Sequence, residues 1–328
     1  MSSTSKQPFL FCGTDGLQAG SYNAPSSNLI ENEGAPSHLA VNRSKCWPAG
    51  KKIHLEIVPG IRKAVDNVVP LNSRGIDLDP LYLTPPRVAL GRAQLDEAHN
   101  ANIRVRLGAE AISKQGFVLS MDTRADSVMR NAGATWLDFP TSEQHFQVGS
   151  WSTLEDRGVQ DPAQPVHDET SGKIVRRDTT QTDFPRNTYA AGQPPQVLTW
   201  LTDLDLGKDA NWRIMCYAKA ITNKGFDIVI ETWGNTFCHS AGASRVAHPA
   251  GWKGYRAARS VPLTCGSGIP PIKKTKGKVM IADEGAFDKS PKVFIGISAL
   301  DMDSAKNIRA KIFANKISSD GFTWYRES

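Results

Sequence analysis

The sequence lacks the features that mark membrane-spanning, disulfide-stabilised and common catalytic proteins. No apolar run approaches the roughly 18 residues that a membrane-spanning helix needs. The five cysteines form no Cys-x-x-Cys pair, which argues against a disulfide or zinc framework and favours reduced thiols. G-x-S-x-G, H-E-x-x-H and P-loop motifs are absent, and the seven histidines show no metal-ligand spacing. We therefore expect no catalytic activity, no metal, no cofactor and no insertion into a membrane.

The charge pattern and the N-terminal segment argue against two further classes of protein. The formal net charge is +6, but the basic residues are scattered, and the densest cluster is a short run at 273–278. Such a run is typical of a solvated loop, so nucleic acid is not an expected partner. Residues Met1–Gln7 are polar and contain no apolar signal core, which predicts a cytoplasmic or non-classically secreted protein.

The sequence does contain three copies of one pattern. Pro-x-Val is followed by Leu-Asp, then by Asn-apolar-Arg with its Arg eight residues after the Asp, and then by Gly-Phe twelve residues further on. The copies are offset by 109 and then 96 residues, without insertion or deletion inside the pattern. A fixed period predicts a repeated structural unit. The central motifs are Leu95-Asp96 with Asn102-Ile103-Arg104, Leu204-Asp205 with Asn211-Trp212-Arg213, and Leu300-Asp301 with Asn307-Ile308-Arg309.

The length of the period predicts how the chain divides into domains. A repeat of about 100 residues is too long for a solenoid unit and is close to the size of a small β-sandwich. The first segment is rich in Ser, Gly, Asn and Pro without apolar periodicity, which predicts a flexible leader. We predict a leader over 1–40 and domains over 41–140, 141–250 and 251–328.

The regular part of each copy predicts antiparallel strands. Ile103, Val105 and Leu107 alternate with arginines, and the other two copies alternate similarly. A period of two with one apolar face is typical of a half-buried strand. A turn follows that ends in a glycine suited to a positive φ, and a second strand then completes a hairpin. With no convincing helix, the sequence predicts an all-β fold of three tandem antiparallel β-sandwich domains, the third truncated.

These ordered motifs resemble the H-type lectin domain, the fold of snail agglutinins and of the C-terminal domain of discoidin. That family continues after Gly-Phe with Thr-Trp-x-Asn/Asp-Thr and a last strand. The second copy matches the whole set, ending in Thr232-Trp233-Gly234-Asn235-Thr236. The first copy has Arg124 in place of Trp, followed by Asp126, and the third copy stops at Ser328 before this segment.

The resemblance implies six-stranded sandwiches that assemble as trimers and bind N-acetylgalactosamine or galactose, with glycans or glycoproteins as partners. It implies that the sugar lies near the interface between adjacent protomers, where the Arg of Asn-apolar-Arg and the Trp-x-Asn segment contribute. Three copies in one chain are then expected to form an intramolecular pseudo-trimer and to bind glycans multivalently, as in cell adhesion. The predicted sugar-binding residues are Arg213, Trp233, Asn235, Arg104, Asp126 and Arg309, with Asp178 or Asp66 as an added acid.

The residue types of this set suit sugar chemistry. A guanidinium offers a planar fork of donors to vicinal hydroxyls. A flat aromatic such as Trp233 can cover the apolar face of a galactose-type ring. Asn235 supplies both a donor and an acceptor.

Each residue of the set also has a structural interpretation. A strand arginine can be a solvated or salt-bridged surface residue, and Trp233 can belong to a core or an interface. We interpret the Asn of Asn-apolar-Arg as a turn residue and the Asp of Leu-Asp as a residue that ends a strand or caps a turn. A rival hypothesis is therefore a structural or protein-interaction module that has lost sugar binding. An enzyme whose site lies in the leader is a third.

The third copy predicts a strand after Gly321 that lacks a following partner. An incomplete sandwich exposes edge backbone, which invites aggregation. We expect the leader, another chain, or residues beyond Ser328 to supply the missing strand.

Overall fold

The computed structural model describes the three repeats and short segments outside them. Apart from one short 3-10 turn, η1 (Thr153–Glu155), every regular element in the described ranges is a β-strand, so the predicted all-β fold is confirmed. No helix within these ranges is long and apolar enough to cross a membrane. The described residues are 7–12, 18–21, 73–78, 82–156, 163, 165–168, 174–250, 255–260, 263–265, 275–280 and 291–327.

The strands follow the repeat in chain order. The leader contains β1 (Gln7–Cys12) and β2 (Gln18–Ser21). The first repeat contains β3 (Ser73–Asp77), β4 (Arg87–Glu97), β5 (Ile103–Glu110), β6 (Gly116–Thr123) and β7 (Met129–Phe139). The second contains β8 (Gln147–Ser152), β9 (Pro165–His167), β10 (Ile174–Asp183), β11 (Gln196–Leu206), β12 (Trp212–Lys219), β13 (Gly225–Trp233) and β14 (Cys238–His248). The third contains β15 (Tyr255–Ser260), β16 (Leu263–Cys265), β17 (Thr275–Met280), β18 (Lys292–Ile295), β19 (Ala299–Met302), β20 (Ile308–Ser318) and β21 (Gly321–Glu327).

Each of the three six-stranded sheets contains strands from two repeats. Sheet A, with the order β3-β6-β5-β11-β14-β8, joins the first repeat to the second. Sheet B, β9-β10-β13-β12-β19-β16, joins the second repeat to the third. Sheet C, β17-β21-β20-β4-β7-β2, joins the third repeat back to the first. At the three joints β5 pairs with β11, β12 with β19 and β20 with β4, all antiparallel.

The strands form because their apolar residues alternate, as the sequence predicts. In β5, Ile103, Val105 and Leu107 are buried, whereas Arg104 and Arg106 point away from the core. Trp212 of β12 and Ile308 of β20 occupy the position of Ile103, and all three are completely buried. The apolar residue of Asn-apolar-Arg therefore anchors its strand in the core and leaves the next residue, the arginine, on the outer face.

The predicted positive φ at the hairpin glycine is found in the third repeat, where Gly321 has φ +146, but not at Gly116 or Gly225. Ala111, Ala220 and Lys316 also have a positive φ, at one equivalent position earlier in each hairpin. At Gly116 an added Cβ would overlap the carbonyl oxygen of Ile76 in the neighbouring strand. Glycine is needed there because two backbones approach closely.

A strand from the leader lies where the third repeat lacks its last strand. In the first two repeats β7 pairs with β4, and β14 pairs with β11. In the third repeat β1 pairs with β18, and the pair of Leu10 with Phe294 corresponds to the pair of Val246 with Leu198. β15 completes this three-stranded sheet on the other side of β1. The leader, predicted to be flexible over 1–40, thus contains two strands, and the expectation that it supplies the missing strand matches this pairing.

The repeats share their apolar cores. The larger core runs through all three repeats and includes Ile103, Trp212 and Ile308. A second core also draws on all three repeats, and we call it the central cluster. Its members are Ala89, Leu137, Phe139, Phe146, Leu198, Trp200, Val246 and Phe294.

Candidate functional site

The joint between the second and third repeats brings together three of the residues that the sequence singles out. Arg213 lies near the start of β12, held in place by the buried Trp212, whose indole N–H donates to the Gly207 carbonyl at 3.0 Å. Arg213 is in register with Asp301 of β19, and its Nε lies 3.3 Å from Asp301 Oδ1. Both side chains are 21% exposed, so a ligand in solvent can reach part of each, although Asp301 Oδ1 itself is buried.

A tight turn after β13 places Asn235 beside the same arginine. Gly234 has φ +66, and a Cβ on it would lie 2.8 Å from Arg213 Nη1. The Thr236 hydroxyl accepts from the Arg213 backbone N–H at 3.1 Å and donates to the Asn211 carbonyl at 2.5 Å. With the turn fixed in this way, Arg213 Nη1 donates to Asn235 Oδ1 at 3.1 Å.

Trp233 lies on the same face of sheet B as Arg213. Ile214 pairs with Thr232, so the neighbouring positions 213 and 233 face each other across the two strands and project to the opposite side. Trp233 is half-buried and Asn235 is exposed. The site therefore combines a guanidinium, a carboxylate, an amide and an indole at the solvent-accessible end of one joint.

The charges of this site balance without closing it. Partial burial raises the pKa of Asp301, and the nearby Arg213 opposes that rise. Arg213 uses Nε toward Asp301 and Nη1 toward Asn235. Within the described part of the chain its Nη2 donates no hydrogen bond, which leaves N–H groups for a ligand oxygen.

The first joint has the same layout but is closed by charge. Arg104 is in register with Asp205, and its Nε lies 3.3 Å from Asp205 Oδ1. Arg104 also donates to Asp126, which replaces Asn235. Arg124, which replaces Trp233, donates to Asp205 at 2.5 Å. Two arginines and two carboxylates therefore pair with one another, although Asp205 Oδ1 is buried without a hydrogen bond, and an arginine stands at the position of Trp233.

The joint between the third and first repeats is the loosest of the three. Arg309 is in register with Asp96, at 3.9 Å between Nε and Oδ2, and its side chain is 65% exposed. The described residues contain no counterpart of Trp233 and Asn235 at this joint. This arginine is the most accessible of the three and has the fewest neighbours that could orient a ligand.

The structure does not bring Asp178 to Arg213. Asp178 is in β10 and pairs with Ile230, a core residue, whereas Trp233 lies on the other face of the sheet. Opposed residues of an antiparallel pair project to the same side, so Asp178 and Trp233 project to opposite sides. Asp66, the other candidate acid, lies outside the described residues.

The Leu-Asp aspartates lie at the ends of strands, as interpreted from the sequence, but they also pair with arginines. Asp96, Asp205 and Asp301 are each the last residue but one of a strand, opposite the arginine of the preceding repeat. The sequence signal for these charges is the constant spacing of eight residues between Asp and Arg, which shows that opposite charges recur together but not which copies pair.

The asparagines of the same motifs also join repeats. The Asn102 side-chain oxygen accepts from the Lys208 backbone N–H at 3.0 Å, and Asn211 accepts from Ser304 at 3.1 Å. Asn307 accepts from His99 at 3.1 Å. As predicted, they hydrogen-bond backbone N–H groups, but in each case the partner belongs to another repeat: the second for Asn102, the third for Asn211 and the first for Asn307.

These features define a class of β-sandwich repeat proteins in which the motifs common to all repeats lie at the joints between repeats. The family model of the H-type lectin domain matches residues 73–138, 179–248 and 284–327, which is more than half of the chain. The chain therefore belongs to the H-type lectin domain family, which makes carbohydrate binding its expected class of function and which is generally non-catalytic. Comparisons with curated proteins and with solved structures gave no match. No group of three or more potential metal ligands occurs among the described residues.

Proposed function

We propose that this protein binds galactose- or N-acetylgalactosamine-type glycans at the joint between its second and third repeats. The observation that carries the proposal is the set of Arg213, Asn235 and Asp301 on one side of Trp233. Two repeats contribute to it, because Asp301 belongs to the third. Glycans or glycoproteins are the proposed partners, with cell adhesion as one setting.

The chemistry of this joint fits a sugar with adjacent hydroxyls. The free N–H groups of Arg213 can donate to two neighbouring oxygens, while Asp301 and the Asn235 amide offer an acceptor and a donor beside them. The exposed part of Trp233 can cover the apolar face of the ring. Each group is held before a ligand arrives, which lowers the ordering cost of binding.

We further propose that the three repeats form an intramolecular pseudo-trimer. Strand pairing at all three joints supports it, since each repeat pairs with the next and the third pairs with the first. The central cluster supports it too, because all three repeats contribute side chains to it. In this arrangement the joints are equivalent in backbone and unequal in side chains.

Valency follows from that inequality. The second joint is the strongest candidate for binding sugar, and the third joint, marked by Arg309, is a weaker one. At the first joint the charged groups pair with one another; they are Arg104, Asp126, Arg124 and Asp205. The closed first joint favours a second candidate function, a structural or protein-interaction module, for that part of the molecule. Multivalent glycan binding requires at least two of the joints to accept sugar.

A glycan array with the parent protein and Arg213→Ala tests the main proposal. We expect galactose-type glycans to bind the parent, and the variant to bind about 10- to 100-fold more weakly, the range for losing a hydrogen bond to a charged group. Arg186→Ala removes the same charge from an exposed residue and should change nothing. Thermal unfolding of each variant separates lost binding from lost folding.

The array also decides between the two candidate functions. A parent without any glycan signal would favour the interaction module. Binding that survives Arg213→Ala unchanged would show that the sugar lies elsewhere.

A further inference from the structure

The basic run that looks like a solvated loop in the sequence is partly an edge strand. β17 pairs with β21 at the edge of sheet C, and Lys276 is opposite Tyr325 while Lys278 is opposite Thr323. Gly277, between the two lysines, lies against the Trp324 ring on the side of the core. Lys276 and Lys278 therefore project together from the outer face, and both are exposed.

An aromatic pair stands next to these lysines. Phe313 of β20 is in register with Tyr325, and their rings stack with centroids 4.9 Å apart and planes 11° apart. The Lys311 ammonium lies 5.3 Å from the centroid of the Phe313 ring. We call the surface formed by Lys276, Lys278, Lys311, Phe313 and Tyr325 the lysine–aromatic face.

The charge on this face is mainly positive. Three ammonium groups occupy it, and Glu327, opposite Lys311, is the carboxylate that faces them from β21. On the neighbouring strand β4, Gln94 lies opposite Lys311, so no charge enters from that position. The three lysines stand on β17 and β20, and Tyr325 of β21 lies opposite Lys276 on one side and Phe313 on the other.

The other two repeats lack this surface. Tyr217 and Gly108 stand where the third repeat has Phe313, and Val229 and Ser120 stand where it has Tyr325. Thr179 and Ser73, paired with those last two residues, stand where it has Lys276. The lysine–aromatic face is therefore a property of the third repeat alone.

We propose that the lysine–aromatic face binds acidic glycans, meaning polysaccharides that carry sulfate or carboxylate groups. Three lysines on one face of the sheet match a chain of closely spaced anions, and an exposed edge strand gives such a chain an open path. Single-stranded nucleic acid is the other polyanion to consider, but it gains its affinity by stacking bases on open aromatic faces. Phe313 offers no such open face, because Tyr325 stacks on its ring and the Lys311 ammonium also lies over the Phe313 ring.

This site is separate from the galactose-type site proposed at the second joint, because it lies in sheet C, whereas Arg213 and Trp233 lie in sheet B. It adjoins the weaker third joint, since Lys311 stands two residues after Arg309 on β20. Acidic-glycan binding therefore does not depend on the function proposed above, and either can fail without the other.

The test is the affinity of the full chain for dextran sulfate, with uncharged dextran as the reference, by biolayer interferometry at several salt concentrations. We expect binding to dextran sulfate that weakens as salt rises, and none to dextran. Lys276→Ala with Lys278→Ala should weaken it about three- to thirtyfold, the range for losing two exposed ion pairs.

The matched control is Lys219→Ala with Lys224→Ala, which removes two exposed lysines from the second repeat. It should leave the affinity within about twofold, and Arg213→Ala should do the same. Equal losses in both double variants would overturn the proposal, because binding would then follow net charge rather than this face. A single-stranded oligonucleotide that binds more tightly than dextran sulfate, with the same dependence on Lys276 and Lys278, would also overturn it.

Discussion

Replacing Trp200 with alanine tests whether the three repeats are one cooperative body. Trp200 is completely buried in the central cluster and meets Phe294 of the third repeat edge-to-face, at 4.6 Å between centroids and 80° between planes. The repeat offsets place Gly91 and Gly296 at the same position in the other two copies. A Cβ on Gly296 would overlap the Trp200 indole, and one on Gly91 would lie 2.8 Å from the Phe294 ring. A single indole thus fills the space that three equivalent positions share.

The cost of losing that indole follows from its burial. Truncating a fully buried Trp to Ala costs about 3–5 kcal/mol when the surroundings cannot collapse into the cavity. Here Gly296 lies against the indole and contributes no side chain that could refill the space. With an unfolding entropy of about 2.1 cal/mol/K per residue, 328 residues give about 0.7 kcal/mol/K. We therefore expect Tm to fall by roughly 4–7 °C.

Differential scanning calorimetry measures both the shift and its form. Because the repeats share sheets and cores, we expect one transition that moves as a whole. Phe237→Ala, which removes an aromatic ring that is 44% exposed, should shift Tm by less than about 1 °C. Separate transitions of which only one moves would refute the reasoning, as would a shift as small as that of Phe237→Ala.

Two further predictions concern a buried acid and the leader. Burial raises the pKa of Glu97 to about 8, against the pull of Arg92 and with a further rise from Asp96. Because this pKa is raised in the folded state, the contribution of Glu97 to stability is fully present below the unfolded pKa of about 4.5 and is lost as pH rises through about 8. Glu97→Gln should therefore flatten this loss in urea unfolding between pH 5 and 9. Identical slopes in both proteins would contradict this. Leu10→Pro removes a backbone hydrogen-bond donor from β1, the middle strand of its three-stranded sheet. We expect amide hydrogen exchange to become faster in β18 while β12 stays protected. Unchanged exchange in β18 would contradict the pairing of β1 with β18.

The features predictable from the sequence are those that depend on residues of a single copy. The alternation around Ile103, Trp212 and Ile308 predicts both the strand and the outward arginine, because the period of two is a local property. The contact between Arg213 and Asn235 was predictable as well, because both residues belong to the second copy and to the ordered motifs that resemble one family.

The features that were missed depend on which copy is the partner. A constant spacing between Asp205 and Arg213 cannot tell whether the two residues pair with each other or with neighbouring copies, and the structure pairs Asp205 with Arg104 instead. The leader was among the expected sources of the missing strand, but Gln7–Cys12 lies far from β18 in sequence, so no local pattern identified which residues pair. Asp178 was misplaced because its region does not align between copies, which left the face of β10 undetermined.

The candidate site depends on the pairing between the second and third repeats. Arg213 and Asn235 come from the second repeat, but the carboxylate that fixes the guanidinium is Asp301 of the third. Asn211 draws the same two repeats together by accepting from the Ser304 backbone, next to that ion pair. The residues that hold the joint are thus neighbours of those that would hold the ligand. A substitution at this joint should therefore affect both the pairing of the two repeats and the geometry of the candidate site, whereas the different residues at the first joint form an ion network there.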